Sequence, residues 1–278
     1  MTITRRFFQF GAACLVAGGL TSHALAQNAG QEVAAASVIE EIKQRGTLNV
    51  GLSTFVPWSM FNKDSELIGF EIDVAKRLAE DMGVEIEFVP TAWDGIIPAL
   101  IAGKFDLVIS GMTITTERNL TVNFTDAYAH SGMRLVATKK FEGEKSTLAD
   151  FNSSDVTFSL RRGSTPTAYA KEVFPKANLL LFDDDGASIQ EVLNGNSDAT
   201  LGYEPNPSDW VRDYPDSVFI PFDDLLNPGS EGMALRKGDP DALNFLNNWI
   251  EARWRDGFLK ERNDYWFRGN DWADQMPE

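Results

Sequence analysis

From Thr47 onward, short apolar runs alternate with longer stretches whose apolar residues recur at helical spacing, a pattern of open α/β layers in which crossover helices feed the strands. Residues 47–52 predict the first strand. Over 72–82, Ile72, Ala75, Leu78, Ala79 and Met82 fall on one stripe, which predicts a half-buried helix, and 85–89 predicts the next strand. Asp94 is placed to cap a helix through Ala102, with Pro98 in the first turn, where a missing N–H matters least, and Gly103 ending it. A strand over 105–110 then delivers a polar loop. After Lys139 and Lys140 a second series begins, with strands over 155–160, 178–182 and 198–203 and helices over 165–174 and 188–193. A strand over 232–236 follows, then a helix opened by Asp239-Pro240 and ended by Gly257, and a short helical tail to Phe267. Loops at the carboxyl ends of such strands collect ligands, and two facing units would form a hinged cleft. Periodicity alone leaves that arrangement open.

Composition narrows the function. A chain of 278 residues, 43% apolar, can bury one large core or two modest ones. With 41 acidic against 25 basic residues and a net charge of -16, nucleic acid and anionic membrane are poor partners. Beyond the first thirty or so residues no apolar run approaches the roughly 20 needed to cross a bilayer. The N-terminus differs from the rest: Arg5 and Arg6, an apolar and Gly-rich stretch over 11–20, then small residues at Ala24 and Ala26 read as an export signal cleaved after Ala26, and hence as periplasmic delivery. Thr4-Arg5-Arg6-Phe7-Phe8 resembles a twin-arginine signal, with an ordinary secretory signal as the alternative. The single cysteine, Cys14, lies inside that signal, so no disulfide is expected; Leu15 and Gly11 argue against a lipid anchor there.

Four motifs occur in order: Gly69-Phe70-Glu71-Ile72-Asp73-Val74; Trp93-Asp94-Gly95-Ile96-Ile97-Pro98-Ala99-Leu100; Gly103-Lys104-Phe105-Asp106-Leu107; and Ser110-Gly111-Met112-Thr113-Ile114-Thr115-Thr116-Glu117-Arg118. Together they resemble the family 3 periplasmic solute-binding proteins of polar amino-acid ABC transporters. The resemblance spans about 47–267. It implies an α/β, hinged, two-lobe periplasmic-binding-protein fold of type II with a discontinuous first lobe. The expected organisation is an export signal over 1–26, an N-terminal extension over 27–45, a first lobe over 46–137 and 229–270, and a second lobe over 138–228. A monomer working with an ABC permease is expected.

The same resemblance implies the site. Arg118, with the Gly111 backbone N–H and the Thr113 hydroxyl, would hold a ligand α-carboxylate; a guanidinium supplies two parallel charge-assisted hydrogen bonds that lysine cannot reproduce. Phe55 and Trp93 would flank the ligand, whereas Trp58 reads as core. Ser53 stands where several relatives carry an aspartate for a cationic or amide side chain, which argues against a lysine or arginine ligand. Arg161-Arg162-Gly163-Ser164-Thr165 matches the loop that closes on the carboxylate; Gly163 and Thr165 would contribute there, and Arg161 would meet a second acidic or polar group. Tyr203 replaces the aspartate that relatives generally offer to the ligand ammonium, and Glu204 is the neighbouring acid that would substitute if the backbone shifted.

Other chemistry finds less support. Cyclohexadienyl dehydratases share this resemblance, and Glu204 would be the candidate general acid of such an enzyme. A sensory binding protein is a further alternative. The two histidines are His23, in the signal, and His130, which reads as structural, so no metal site, cofactor or catalytic residue is expected. Asp183-Asp184-Asp185 and Asp223-Asp224 read as solvated turns.

Overall fold

The computed structural model describes residues 37–276; the expected export signal, with Cys14 and His23, lies outside them. The first part of the chain runs through helix α1 (Val38–Arg45), strand β1 (Thr47–Leu52), hairpin strands β2 (Met60–Phe61) and β3 (Leu67–Ile68), and helix α2 (Phe70–Met82). It continues with β4 (Glu85–Pro90), a 3-10 turn over Trp93–Gly95, α3 (Ile96–Ile101), β5 (Leu107–Val108), α4 (Thr116–Asn119) and β6 (Asn123–Phe124). The second part holds β7 (Ala129–Thr138), α5 (Leu148–Phe151), β8 (Thr157–Arg161), α6 (Thr165–Val173), β9 (Asn178–Phe182), α7 (Asp185–Leu193), β10 (Ala199–Tyr203) and α8 (Asn206–Asp213). Strands β11 (Val218–Phe219), β12 (Leu226–Glu231) and β13 (Ala234–Leu235) lead into α9 (Pro240–Arg255) and α10 (Phe258–Phe267).

Two mixed sheets result. The first has strand order β4-β1-β5-β13-β6 and the second β11-β7-β10-β8-β9, with β12 also paired to β7. Strand β1 is parallel to β4 and β5, and β8 is parallel to β9 and β10, as crossover helices require; β13 and β7 run antiparallel within their sheets. Each sheet has its own core. Leu48, Val50, Phe70, Leu78 and Trp249 centre the first, and Met133, Leu135, Phe158, Phe174 and Leu201 the second. Two cores on two sheets make this a two-lobe α/β fold of type II.

Local sequence explains the main pieces. Helix α2 buries Phe70, Val74, Ala75, Leu78 and Ala79 against the first sheet and ends where Gly83 turns left-handed at φ 68. Gly69 precedes it at φ 132, and a Cβ there would lie 2.3 Å from the Trp58 carbonyl oxygen, so only glycine fits. Asp239 caps α9 by accepting the Ala242 N–H at 2.9 Å; it also accepts the Val38 N–H at 2.7 Å and so ties α1 to α9.

The structure revises several expectations. Residues 38–45, read as part of an extension, form α1, whose Val38 and Ile42 belong to the first core. Asp94 caps no helix: the turn Trp93–Gly95 precedes α3, with no side-chain cap. The strand expected over 105–110 shrinks to Leu107–Val108. The crossing between lobes falls earlier than residue 137, because β7 joins the second sheet from Ala129 onward while Tyr128 and Ala129 pack in the first core. Strand β12 returns alongside it, pairing Ser230 with His130, and the His130 Nδ1 lies 3.0 Å from the Ser230 Oγ. His130 thus fastens the two crossing strands to each other.

Candidate functional site

The carboxyl ends of the parallel strands converge between the sheets. Strand β1 leads to Ser53 and Phe55, β4 to Trp93, β5 to Ser110 and Gly111, β8 to Arg161 and its loop, and β10 ends at Tyr203. Residues from both lobes line one narrow cavity there: Phe55, Trp93, Gly111 and Thr113 from the first, Arg161, Thr165 and Tyr203 from the second. Direct bonds cross it. Trp93 Nε1 donates to the Gly163 carbonyl at 3.2 Å, and the Thr113 Oγ1 and Tyr203 hydroxyl lie 3.1 Å apart.

The aromatic residues are layered. Trp58 is 3% exposed and packs on Phe70 and Phe267, which places it in the core as expected. Phe55 stacks on it with ring planes 5° apart and meets Tyr203 edge-on at 6.4 Å. Phe55 therefore presents one face to the cleft and rests the other on a rigid base.

Two guanidinium groups lie over the Trp93 ring, Arg161 at 5.0 Å from its centroid and Arg118 at 5.5 Å. Arg161 lines the cavity and donates from Nη2 to the Ser53 Oγ, while its Nε is buried without a partner. Ser53 thus sits behind Arg161 rather than in the cavity wall. Arg118 borders an adjoining crevice with Gly163, Ser164 and Thr165; the last two line both spaces. Its Nη1 donates to the Thr113 carbonyl at 2.9 Å and its Nη2 to the Gly163 carbonyl at 3.3 Å across the cleft. Thr115 caps the short helix α4 by accepting the Arg118 N–H at 3.1 Å, which fixes where the arginine departs. Burial lowers the pKa of both arginines, so each is a cation partly stripped of water. An anion held there would restore the lost solvation.

Two sequence expectations need correction. The Gly111 N–H is committed: it donates to the Glu71 Oε1 at 2.8 Å, so Gly111 lines the cavity without offering that amide to a ligand. Glu204 faces away. Its Oε1 accepts from the Arg134 Nε at 2.5 Å and from the Ser208 hydroxyl at 2.8 Å, because alternation along β10 turns the residue after Tyr203 to the opposite side. Neither an ammonium partner nor a general acid is available from Glu204 in this arrangement. Glu204→Gln is accordingly expected to change the affinity of a cleft ligand by less than about 2-fold and stability by about 0.5–1 kcal/mol, readable by calorimetric titration and a urea melt.

Sequence reasoning missed two acids. Asp185 lines the cavity beside Arg161, although its tripeptide read as a solvated turn; the usable signal is Asp184, which caps α7 and so sets Asp185 at the first helical position. Glu71, inside the first motif, is fully buried under the cavity loop and accepts from Gly111 and from the Tyr128 hydroxyl, the latter at 2.8 Å. Tyr203 is held by Thr113 and Thr165, and burial raises its pKa, which keeps it a neutral donor. No group of three or more His, Cys, Asp or Glu among the described residues could hold a metal ion, and no helix among them is long and apolar enough to cross a membrane.

Comparison with known proteins agrees with this geometry. Residues 37–269 match the family described as bacterial extracellular solute-binding proteins, family 3. The L-cystine-binding protein TcyJ of Escherichia coli (strain K12) is 32% identical over 231 residues, covering 83% of this chain and 86% of that protein. Among solved structures, the ancestral amino acid-binding protein AncCDT-1, a precursor of cyclohexadienyl dehydratase, is 40% identical with a TM-score of 0.76, covering 84% of this chain and all of that one. A putative ABC-transporter binding component from Wolinella succinogenes DSM 1740, complexed with lysine, is 36% identical with a TM-score of 0.77, covering 83% and 99% of the two chains.

Proposed function

Because the chain belongs to the bacterial extracellular solute-binding proteins of family 3, we propose that it captures an amino acid between its two lobes and presents it to an ABC permease from the periplasmic side. The observation that carries this reading is the cavity itself, whose walls come from both sheets and whose polar side chains include the desolvated Arg161 guanidinium and the hydroxyls of Thr113, Thr165 and Tyr203, with the desolvated Arg118 guanidinium in the adjoining crevice. In this reading Arg118 and the hydroxyls of Thr113 and Thr165 hold the carboxylate, Phe55 and Trp93 flank the rest of the ligand, and Arg161 holds Trp93 and Ser53 in place. A ligand touching Thr113 on one lobe and Thr165 on the other favours the closed arrangement, since only contacts made in that arrangement shift the population toward it. The surface formed on closure is what the permease would read.

The relatives reported above are binding proteins rather than enzymes, and the engagement of Glu204 with Arg134 agrees with them. The test is a thermal-shift screen of the purified protein against the amino acids and their amino-free carboxylate analogues, with product analysis for any hit. Stabilisation by an amino acid that is recovered unchanged is the expected result. Stabilisation by amino-free acids alone would change the ligand class, and turnover would replace the transport reading with an enzymatic one.

A further inference from the structure

The narrow cavity between the lobes adjoins a second, wider one of about 730 Å³, and Phe55 and Asp185 line both. The inner chamber, at about 30 Å³, is a small fraction of that wider space. The room for a ligand whose carboxylate is gripped there lies past Phe55 and Asp185, in the wider space.

The acids around that doorway differ in what they already do. Asp184 accepts the Gly186 N–H at 2.8 Å as the cap of α7. Asp209 and Asp213, in the outer cavity, are both paired with Arg212. Asp185 alone among these four has no hydrogen bond or salt bridge to any described residue; the charges that act on it are Arg161, which favours its ionised form, and Asp184, which opposes it. Among the described residues it is also the single carboxylate lining the inner chamber. Burial pushes its carboxyl up to about 6, so it is an acid held with less solvation than it needs. A partly desolvated carboxylate with no donor is relieved by a cation brought to it.

We infer that Asp185 is the acceptor for a cationic group of the ligand, met at the doorway between the inner chamber and the outer cavity. The inference rests on the amino-acid reading above. The cation can come from either end of such a ligand, the α-ammonium or a terminal side-chain ammonium, and four probes of one chain length separate the two: lysine carries both cations, norleucine only the first, 6-aminohexanoate only the second, and hexanoate neither.

Calorimetric titration of these probes into the wild-type protein and into Asp185→Asn, an isosteric change outside both cores, tests it. Asp185→Asn is expected to weaken the cation-bearing probes by about 10- to 100-fold while moving hexanoate by less than about 2-fold. A loss on norleucine assigns the α-ammonium to Asp185, and a loss on 6-aminohexanoate assigns the terminal one. Cation-bearing probes that bind the wild type and bind Asp185→Asn equally well overturn the role of Asp185 and leave the amino-acid reading standing. If neither these probes nor any of the twenty amino acids binds the wild type, the amino-acid reading falls and the role of Asp185 falls with it.

Discussion

Replacing Arg118 by Ala is expected to weaken binding of the ligand carboxylate by about 100- to 1000-fold, the effect of removing one partner from a partly buried, bidentate charge pair. The guanidinium is already partly stripped of water and held over Trp93, so its donors need little reorganisation to receive an anion. Its present acceptors, the carbonyls of Thr113 and Gly163, are neutral, and a carboxylate is the stronger acceptor. Stability should change little, because the lost bonds are partly exposed and the variant no longer desolvates a cation. Arg118→Lys should recover only part of the loss, since an ammonium keeps the charge without the planar fork. Titration calorimetry with the best ligand from the thermal screen, beside melts of each variant, reads both effects. Unchanged affinity in Arg118→Ala would move the carboxylate to Arg161, which lies over the same ring and lines the chamber more directly.

How much of this could be read from the chain follows the range of the interactions involved. Strands β1 and β9 match their predicted spans because a short apolar run bounded by turns carries its own signal. Helix α6 starts at Thr165 as expected, with Ser164 capping it by accepting the Thr167 N–H at 3.2 Å. Strand β7 was not legible. Its place comes from pairing with β10, β11 and β12, which are distant in sequence, and its buried positions do not alternate regularly, so it carries no local strand signal. The same limit applies to the site. The family resemblance pointed to Phe55, Trp93, Thr113, Arg161, Thr165 and Tyr203, which the fold does bring together. Whether Gly111 has an unused N–H depends on Glu71, forty residues away, and whether Glu204 is available depends on Arg134 across the sheet. Asp185 carries no such signal because an acidic tripeptide is ordinarily solvated, and only the meeting of residues from both lobes puts it beside a chamber.

Glu71 should dominate the pH dependence of stability. It is fully buried on α2, and desolvation pushes its carboxyl up to about 8 against the opposing pull of hydrogen bonds from Tyr128 and Gly111, with Glu231 adding a further rise. In the unfolded chain the same group titrates near 4.5. The folded state therefore holds a proton that the unfolded state releases between about pH 4.5 and 8, and stability must fall as pH rises through that window. The contribution is fully present below about 4.5 and gone above about 8, and over the whole window it amounts to several kcal/mol, on the order of 5. Glu71→Gln keeps the shape and both partners: its Oε1 can accept from Gly111 and its Nε2 can donate to the Tyr128 oxygen. Urea melts from pH 5 to 9 should show this variant with a flatter profile than the wild type and with higher stability at pH 9. Glu71→Ala should instead lose about 3–5 kcal/mol at pH 5, because it leaves a cavity and two buried donors without acceptors. It should also weaken ligand binding, since the Gly111 loop that Glu71 anchors forms the chamber wall. If Glu71→Gln retains the wild-type slope, the titrating group is Glu231 at the lobe crossing, which burial pushes to about 7 while the Ser131 hydroxyl pulls it down, and Glu231→Gln should then flatten the profile in its place.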